Sequence, residues 1–210
     1  MASSPLAAPP KPRAGRPRDA ALDEAILQTV REVLEERGYQ SLSVQEVTRR
    51  CGVHVRTITR RWSTKAALVA AAILGGDEPL FAGDEAPPRP TGRLAEDLRQ
   101  LVRGSVQYLA EPATRAAIPG LIGELAVDGE VHDRFQRRAE EWSATIRSVL
   151  ELAVASGDAP AHVVERARLV RNVLGGTAFS LQSIDAAVVD DQLLDQLTDF
   201  LLAGLLAEDP

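Results

Sequence analysis

From residue 93 onward the apolar residues recur at three- and four-residue steps, with no strand-like alternation of useful length. Leu94, Leu98, Leu101, Val102, Ser105 and Leu109 form one stripe, and Val131, Phe135, Ala139, Trp142, Ile146, Val149 and Ala153 form a second of about six turns. Val163, Ala167, Val170, Leu174, Ala178 and Leu181 mark another helix, and Leu193, Leu194, Leu197, Phe200, Leu201 and Leu205 mark the last. A shorter helix over roughly 113–127 contains Pro119-Gly120, which should kink or break it. The same period runs through Leu22, Ala25, Ile26, Thr29, Val30, Val33 and Leu34 and closes at Gly38. With the short helices described next, these patterns predict an all-α fold of nine helices.

Residues 43–65 carry the most specific local pattern. Ser43 and Glu46 have capping-box spacing, and Val44, Val47 and Cys51 give the helix behind them one buried stripe. Gly52 follows where the chain must turn, because glycine alone takes left-handed angles without penalty. A second helix is predicted over 54–61; Val55 and Ile58 can pack inward, which turns Arg56, Thr57, Thr59, Arg60 and Arg61 to other faces. Ser63 is read as the cap of a third helix, 64–74, with Lys65 in its first turn, where free amides also favour a phosphate. Helix, tight turn and basic helix make a helix-turn-helix, whose second helix enters the major groove of DNA.

A net charge of -6 argues by itself against nucleic acid, so its placement decides. Residues 1–70 hold 12 Lys/Arg against 7 Asp/Glu, whereas residues 71–210 hold 12 against 23. Segregation of this kind points to a DNA-binding part joined to a part that avoids DNA. A GC-rich genome would account for the preference for arginine, since Lys11 and Lys65 are the only lysines, but not for where the arginines sit. The segment 76–92, rich in Gly, Pro and acidic residues, cannot be a regular helix and is read as a linker. The predicted organisation is a flexible basic arm (1–18), a helix-turn-helix domain (19–75), the linker (76–92) and a second domain (93–210).

Other classes find little support in the chain. A single cysteine, Cys51, excludes an intrachain disulfide and a multi-cysteine zinc site, and His54, His132 and His162 lie in different predicted helices, so neither metal nor cofactor is expected. There is no P-loop, no Gly-x-Gly-x-x-Gly after a strand and no nucleophile-base set, so the chain does not read as an enzyme. The amino-terminal 19 residues lack the continuous apolar core of a signal peptide, and the longest apolar run, 66–74, is far short of a membrane span. A cytoplasmic protein is expected. In the arm, Lys11, Arg13, Arg16 and Arg18 read either as a solvated tail or as a minor-groove contact, and one tail can be both.

The sequence resembles the TetR family of bacterial transcriptional regulators. The resemblance rests on Gly15-Arg-Pro-Arg18, Glu35-Glu-Arg-Gly-Tyr39, Leu42-Ser-Val44, Cys51-Gly-Val53, Thr57-Ile58, Arg61-Trp62 and Lys65-Ala-Ala-Leu68, in that order. Two positions depart from it: His54 stands where a serine or threonine usually opens the recognition helix, and Thr59 stands where a tyrosine usually touches a phosphate. The resemblance implies a three-helix DNA-binding domain and a six-helix ligand-binding and dimerisation domain. The DNA-facing candidates are Arg16, Arg18, Ser43, Val44, His54, Val55, Arg56, Thr57, Thr59, Arg60, Arg61, Trp62 and Lys65. Of these, Arg56 and Thr57 are expected at base edges, Arg60 or Arg61 at the groove margin, and Ser43, Thr59, Trp62 and Lys65 near phosphates.

A small-molecule pocket is implied for the helices after the linker. Its candidate lining is Tyr108, Leu121, Leu125, Phe135, Trp142, Leu174 and Phe179, with Ile122 beside them and Gln107, Arg138 or Asn172 as polar anchors; a plain core role competes for each. The last helix is apolar over much of its circumference, and the one before it carries Gly175 and Gly176 mid-helix, where each glycine costs about 1 kcal/mol relative to alanine. A homodimer through Gly175, Ala178, Leu194, Leu197 and Leu201 accounts for both features, and two such readers would demand a near-palindromic site. The expected function is a ligand-responsive repressor released from its operator by a small, largely apolar molecule. The alternative is a helical architectural or protein-interaction DNA-binding module with no small-molecule response.

Overall fold

The computed structural model describes residues 20–75, 89–185 and 188–207. Among them are nine α-helices: α1 (Ala20–Ser41), α2 (Val44–Cys51), α3 (Val55–Thr59), α4 (Lys65–Leu74), α5 (Leu94–Ala110), α6 (Pro112–Glu124), α7 (Gly129–Ala155), α8 (Ala167–Phe179) and α9 (Asp191–Leu206). A 3-10 turn over Ala161–Arg166 leads into α8, and a π turn over Ser180–Ile184 leaves it. The arm with Arg16 and Arg18, and most of the linker, lie outside the described residues.

Glycines act where expected in the first half. Gly38 takes φ 73° and bends α1 before its last turn, and Gly52 closes α2 with φ 65°, its amide donating to Thr48 O. The capping box at Ser43 forms by half. Glu46 N donates to Ser43 Oγ at 3.2 Å, but the Glu46 carboxylate turns to Arg49 and Arg50 and does not reach back. α3 is shorter than the predicted 54–61 and ends at Thr59. Thr64 caps α4 by accepting from Ala67 N at 2.9 Å, one residue later than the expected Ser63.

Pro119 and Gly120 do not break α6, which runs unbroken through both. Pro119 is exposed on the helix surface, and Gly120 serves a packing purpose: a Cβ there would lie 2.3 Å from the Tyr39 ring, so α1 and α6 approach closely only because the side chain is missing.

Two apolar cores result, and their boundary is not the linker. The first joins Ile26, Val30 and Leu34 of α1, Val47, Ile58 and Trp62, the whole buried run Ala66–Leu74 of α4, and Ala117 and Leu121 of α6. The second joins Leu94, Leu98 and Val102 of α5, Ile146 and Leu150 in the second half of α7, Val170 and Leu174 of α8, and Leu194 and Leu201 of α9. The amino-terminal head therefore shares its core with α6 and with the start of α7, at Val131.

Candidate functional site

The head presents α3 to solvent. Within α3 Ile58 is fully buried and anchors the helix, while His54, Arg56, Thr59 and Arg60 are exposed and Thr57 is half-buried. Val55 does not pack inward as the sequence spacing suggests; it is 42% exposed and stands among the outward side chains. Ser43 is committed to capping α2, and Val44 packs partly against the head core.

Three other members of the set turn away from that surface. Because α3 stops at Thr59, the amides of Arg61 and Trp62 both fold back on Ile58 O, at 2.9 and 3.0 Å. Trp62 thereby drops into the core, 7% exposed, which corrects its expected place near a phosphate. Arg61 follows it inward: its side chain is 9% exposed, its Nε donates to Asp23 of α1 and its second nitrogen donates to Thr57 O at 3.0 Å. It ties α1 to α3, which leaves Arg60 as the exposed member of the Arg60-or-Arg61 pair. Lys65 finds its counterpart inside the molecule, since Nζ donates to Gln40 O at 3.2 Å and lies 4.5 Å from the centre of the Tyr39 ring. Burial lowers its pKa below the usual lysine range, and the phenol of Tyr39, buried and facing Glu124, is pushed up to about 12.

Charge on the head is sorted by pairing. Arg50 donates to both Glu36 carboxylate oxygens at 2.8 and 2.6 Å and to Glu46 at 2.8 Å; Arg49 also holds Glu46, at 2.8 Å, with Arg37 at 3.7 Å. Hydrogen bonds from Arg49 and Arg50 hold Glu46 down at about 2, and Arg50 lowers Glu36. The cations of α2 are thus neutralised at home. Among the described residues Arg56 and Arg60 have no ion-pair partner, which leaves two guanidinium groups free of an ion pair, one on the short exposed helix and one at its carboxyl cap.

The body does not gather the expected effector residues around one space. Leu121 lies in the first core, with Leu125, Phe135 and Phe179 packed against it, whereas Leu174 lies in the second, with Trp142 packed against that one. Ile122 faces outward. Tyr108 is 38% exposed by its ring, but its hydroxyl is buried and donates to Ile73 O at 3.0 Å, and that burial pushes the phenol up to about 12. Arg138 donates to Leu74 O and to Glu141, so it serves the end of α4. Of the seven, only Leu174 lines either of two recesses. One, about 100 Å³, lies between α8 and α9 over Val102 and Val106 of α5; the other, about 520 Å³ and open, runs along Arg103, Gln107, Gln182 and Asp190.

The expected dimer residues divide as well. Ala178, Leu194 and Leu201 are already buried in the chain's own second core, while Gly175 is exposed and Leu197 half-buried. The sequence-derived interface set missed the apolar residues that α8 and α9 leave uncovered: Phe200 at 74% exposure, with Leu169 and Leu206. The excess width of the α9 stripe was the signal, and it needed the rotation of α9 against α5 to say which residues are the excess. A Cβ on Gly175, Gly176 or Gly204 would meet nothing within 4 Å, so nothing inside the chain accounts for glycine there.

No group of three or more His, Cys, Asp and Glu able to hold a metal occurs among the described residues, and no helix there is long and apolar enough to cross a membrane. Residues 26–72 match the family model of bacterial regulatory proteins of the tetR family, and residues 88–201 match that of the tetracyclin repressor-like C-terminal domain. A DNA-binding transcriptional repressor TetR of Mycobacteroides abscessus is 30% identical over 201 residues, covering 91% of this chain and 95% of its own. Among solved structures, Salmonella enterica GusR superposes with a TM-score of 0.64 at 22% identity, covering 90% of this chain and 97% of its own. The Bacillus subtilis transcriptional regulator FadR, in complex with stearoyl-CoA, does so with 0.57 at 16%, covering 87% and 97%. These matches span both halves of the molecule, and with the helix-turn-helix they identify a regulator of transcription and not an enzyme: the chain belongs to the TetR family of bacterial regulatory proteins.

Proposed function

We propose that this regulator is a repressor that binds a near-palindromic operator as a homodimer and is released by a small, largely apolar molecule. The observation that carries the DNA arm is the pairing pattern of the head, where, among the described residues, the exposed guanidinium groups of Arg56 on α3 and Arg60 at its carboxyl cap stay free of an ion pair for bases and phosphates. Thr57 and Thr59 flank them, and His54 opens the helix; Arg16 and Arg18 of the arm are proposed to reach the adjacent minor groove. Ser43 and the α2 amino end approach the backbone from the side.

Homodimerisation is supported by the uncovered face of α8 and α9. Leu169 on α8 and Phe200 on α9 stand exposed, a Cβ on Gly175, Gly176 or Gly204 would meet nothing within 4 Å, and the recess between the two helices, which Phe200 helps to line, is floored by valines. A second copy laid against this face would fill that recess. An effector then needs only to prefer the spacing of heads that does not fit DNA, and a 100-fold preference amounts to about 2.7 kcal/mol. A neighbour of the same fold, FadR, holds stearoyl-CoA, which supports a body that admits a ligand with a long apolar part.

Selection of bound sequences from a random double-stranded pool tests the reading. A near-palindrome with half-sites one helical turn apart or a multiple of it, roughly 34 Å or more, is the expected product. Absence of any enriched sequence would overturn the proposal. A panel of apolar ligands that moves neither melting temperature nor operator affinity would remove the effector arm and leave an architectural DNA-binding module.

A further inference from the structure

α4 is buried at every position from Ala66 to Leu74, so the orphan backbone groups at both of its ends have to be met by protein. At its carboxyl end four consecutive carbonyls each accept from a different side chain: Ala72 O from Arg31 at 3.1 Å, Ile73 O from Tyr108 at 3.0 Å, Leu74 O from Arg138, and Gly75 O from Arg134 at 3.1 Å. At its amino end Thr64 accepts from Ala67 N and donates its hydroxyl to Asp128 Oδ2 at 2.6 Å. The other oxygen of Asp128 accepts from Glu130 N and Val131 N, at 3.0 and 3.2 Å, and caps α7. Ser63 Oγ adds a bond to Glu130 at 2.8 Å.

α7 therefore holds α4 by both ends. Thr64 to Leu74 and Asp128 to Arg138 are equal lengths of chain, about 15 Å at 1.5 Å per residue, so the two helices run side by side in the same direction. Parallel helices set like ends of their dipoles together, and the side chains of α7 answer this: Asp128 and Glu130 at the positive end of α4, Arg134 and Arg138 at the negative end. The hydrogen bond from Thr64 lowers the pKa of Asp128, and the two backbone amides act in the same sense.

The carboxyl-end contacts that α7 supplies are made by Arg134 and Arg138, whose side chains are 12% and 13% exposed. Ser63 and Thr64, in contrast, are exposed, and their bonds can be exchanged for water without breaking a core. We propose that Thr64 and Asp128, with Ser63 and Glu130 beside them, form a latch between the caps of two helices that sets the attitude of the head on the body. They are positioning residues for operator binding and touch no DNA themselves.

Replacing Thr64→Asp tests this, because aspartate is as good a cap for α4 yet faces Asp128 with a like charge. The double variant Thr64→Asp/Asp128→Thr keeps both caps and restores the bond with donor and acceptor exchanged. Spin labels at the exposed positions Glu35 and Glu151, in a Cys51→Ser background and diluted with unlabelled chains, report the distance from head to body within one subunit. The single variant should broaden and displace that distance distribution and weaken operator binding about tenfold, and the double variant should restore both. A distribution in Thr64→Asp that superimposes on the parent, or a double variant as loose as the single, would overturn the latch. Should Thr64→Asp not fold, Asp128→Asn, which keeps the oxygen that caps α7, is read in the same way. The operator arm rests on the DNA-binding reading above, whereas the distance arm does not, so a chain that selects no operator still has its latch judged.

Discussion

On α3 and at its carboxyl cap the side chains left over by packing are Arg56 and Arg60, charged and without an ion-pair partner among the described residues; on α8 and α9 they are Leu169, Phe200 and Leu206, apolar and without cover. Both surfaces look ordinary when residues are counted. α2 carries two arginines, yet Glu36 and Glu46 neutralise them, and α5 turns Leu94, Leu98 and Leu101 into the second core. What separates a binding surface from a folded one is the part that the chain's own contacts do not use. For the head that remainder suits phosphates and guanine edges, and for the body it suits a second copy of the same face.

The largest effect should come from breaking the body's remainder. Phe200→Glu places a charge on an exposed position, so the chain should fold and melt much as before while sedimenting as a single subunit. Loss of the second head should lower operator affinity about a hundredfold or more, because linked binding of two half-sites is worth about 10² to 10⁴. A variant that stays dimeric in sedimentation would break the assignment of this face. Next in size, Arg56→Ala should remove about 1–3 kcal/mol of discrimination at one base pair, seen as relaxed preference there in competition titrations. Arg49→Ala, the paired counterpart on α2, should leave preference unchanged. Smaller again, Arg60→Ala should weaken all sequences alike and reduce the slope of log affinity against log salt by about one unit. Equal, sequence-independent losses for Arg56→Ala and Arg60→Ala would show that neither reads a base.

Helix number, the turn at Gly52 and the buried stripes were legible because each depends on neighbours three or four residues away, and Gly38, read as the end of the first helix, interrupts α1 three residues before its end at Ser41. Failures share a cause of the opposite kind. Arg61 and Trp62 read as outward because nothing local announces that α3 stops at Thr59, and the partner that draws Arg61 inward, Asp23, is 38 residues distant. Pro119-Gly120 carries a strong local signal for a break, but tertiary packing of Gly120 against Tyr39 prevails. The aromatic set failed as a pocket because period places a residue on a helix face without saying which of two cores that face meets; Phe135 and Trp142, seven residues apart on α7, serve different ones. The latch at Asp128 was invisible for the same reason. Nothing near Asp128 in the sequence announces Thr64, which arrives from 64 residues away.

The smallest expected effect concerns the charges that α2 withholds from DNA. Glu46 is held at about 2 by Arg49 and Arg50, and Glu36 is lowered by Arg50, from an ordinary value of 4.5. A carboxylate whose pKa is depressed by folding contributes stability that is present above its unfolded value and lost as pH falls through its folded one. Glu46 should therefore stabilise the head fully above about pH 5 and progressively less between pH 4.5 and 2. Thermal melts of the parent and of Glu46→Gln should differ by a few degrees at most near pH 7, since these pairs are partly solvated, and should converge as pH approaches 2. A gap that stays constant across that range would mean the pairs do not hold the carboxylate down. The same substitution frees Arg49 and leaves Arg50 with Glu36 alone, so at neutral pH it should also raise non-specific DNA affinity slightly. That gain would show directly that pairing, and not the number of arginines, keeps Arg49 and Arg50 from adding to DNA affinity.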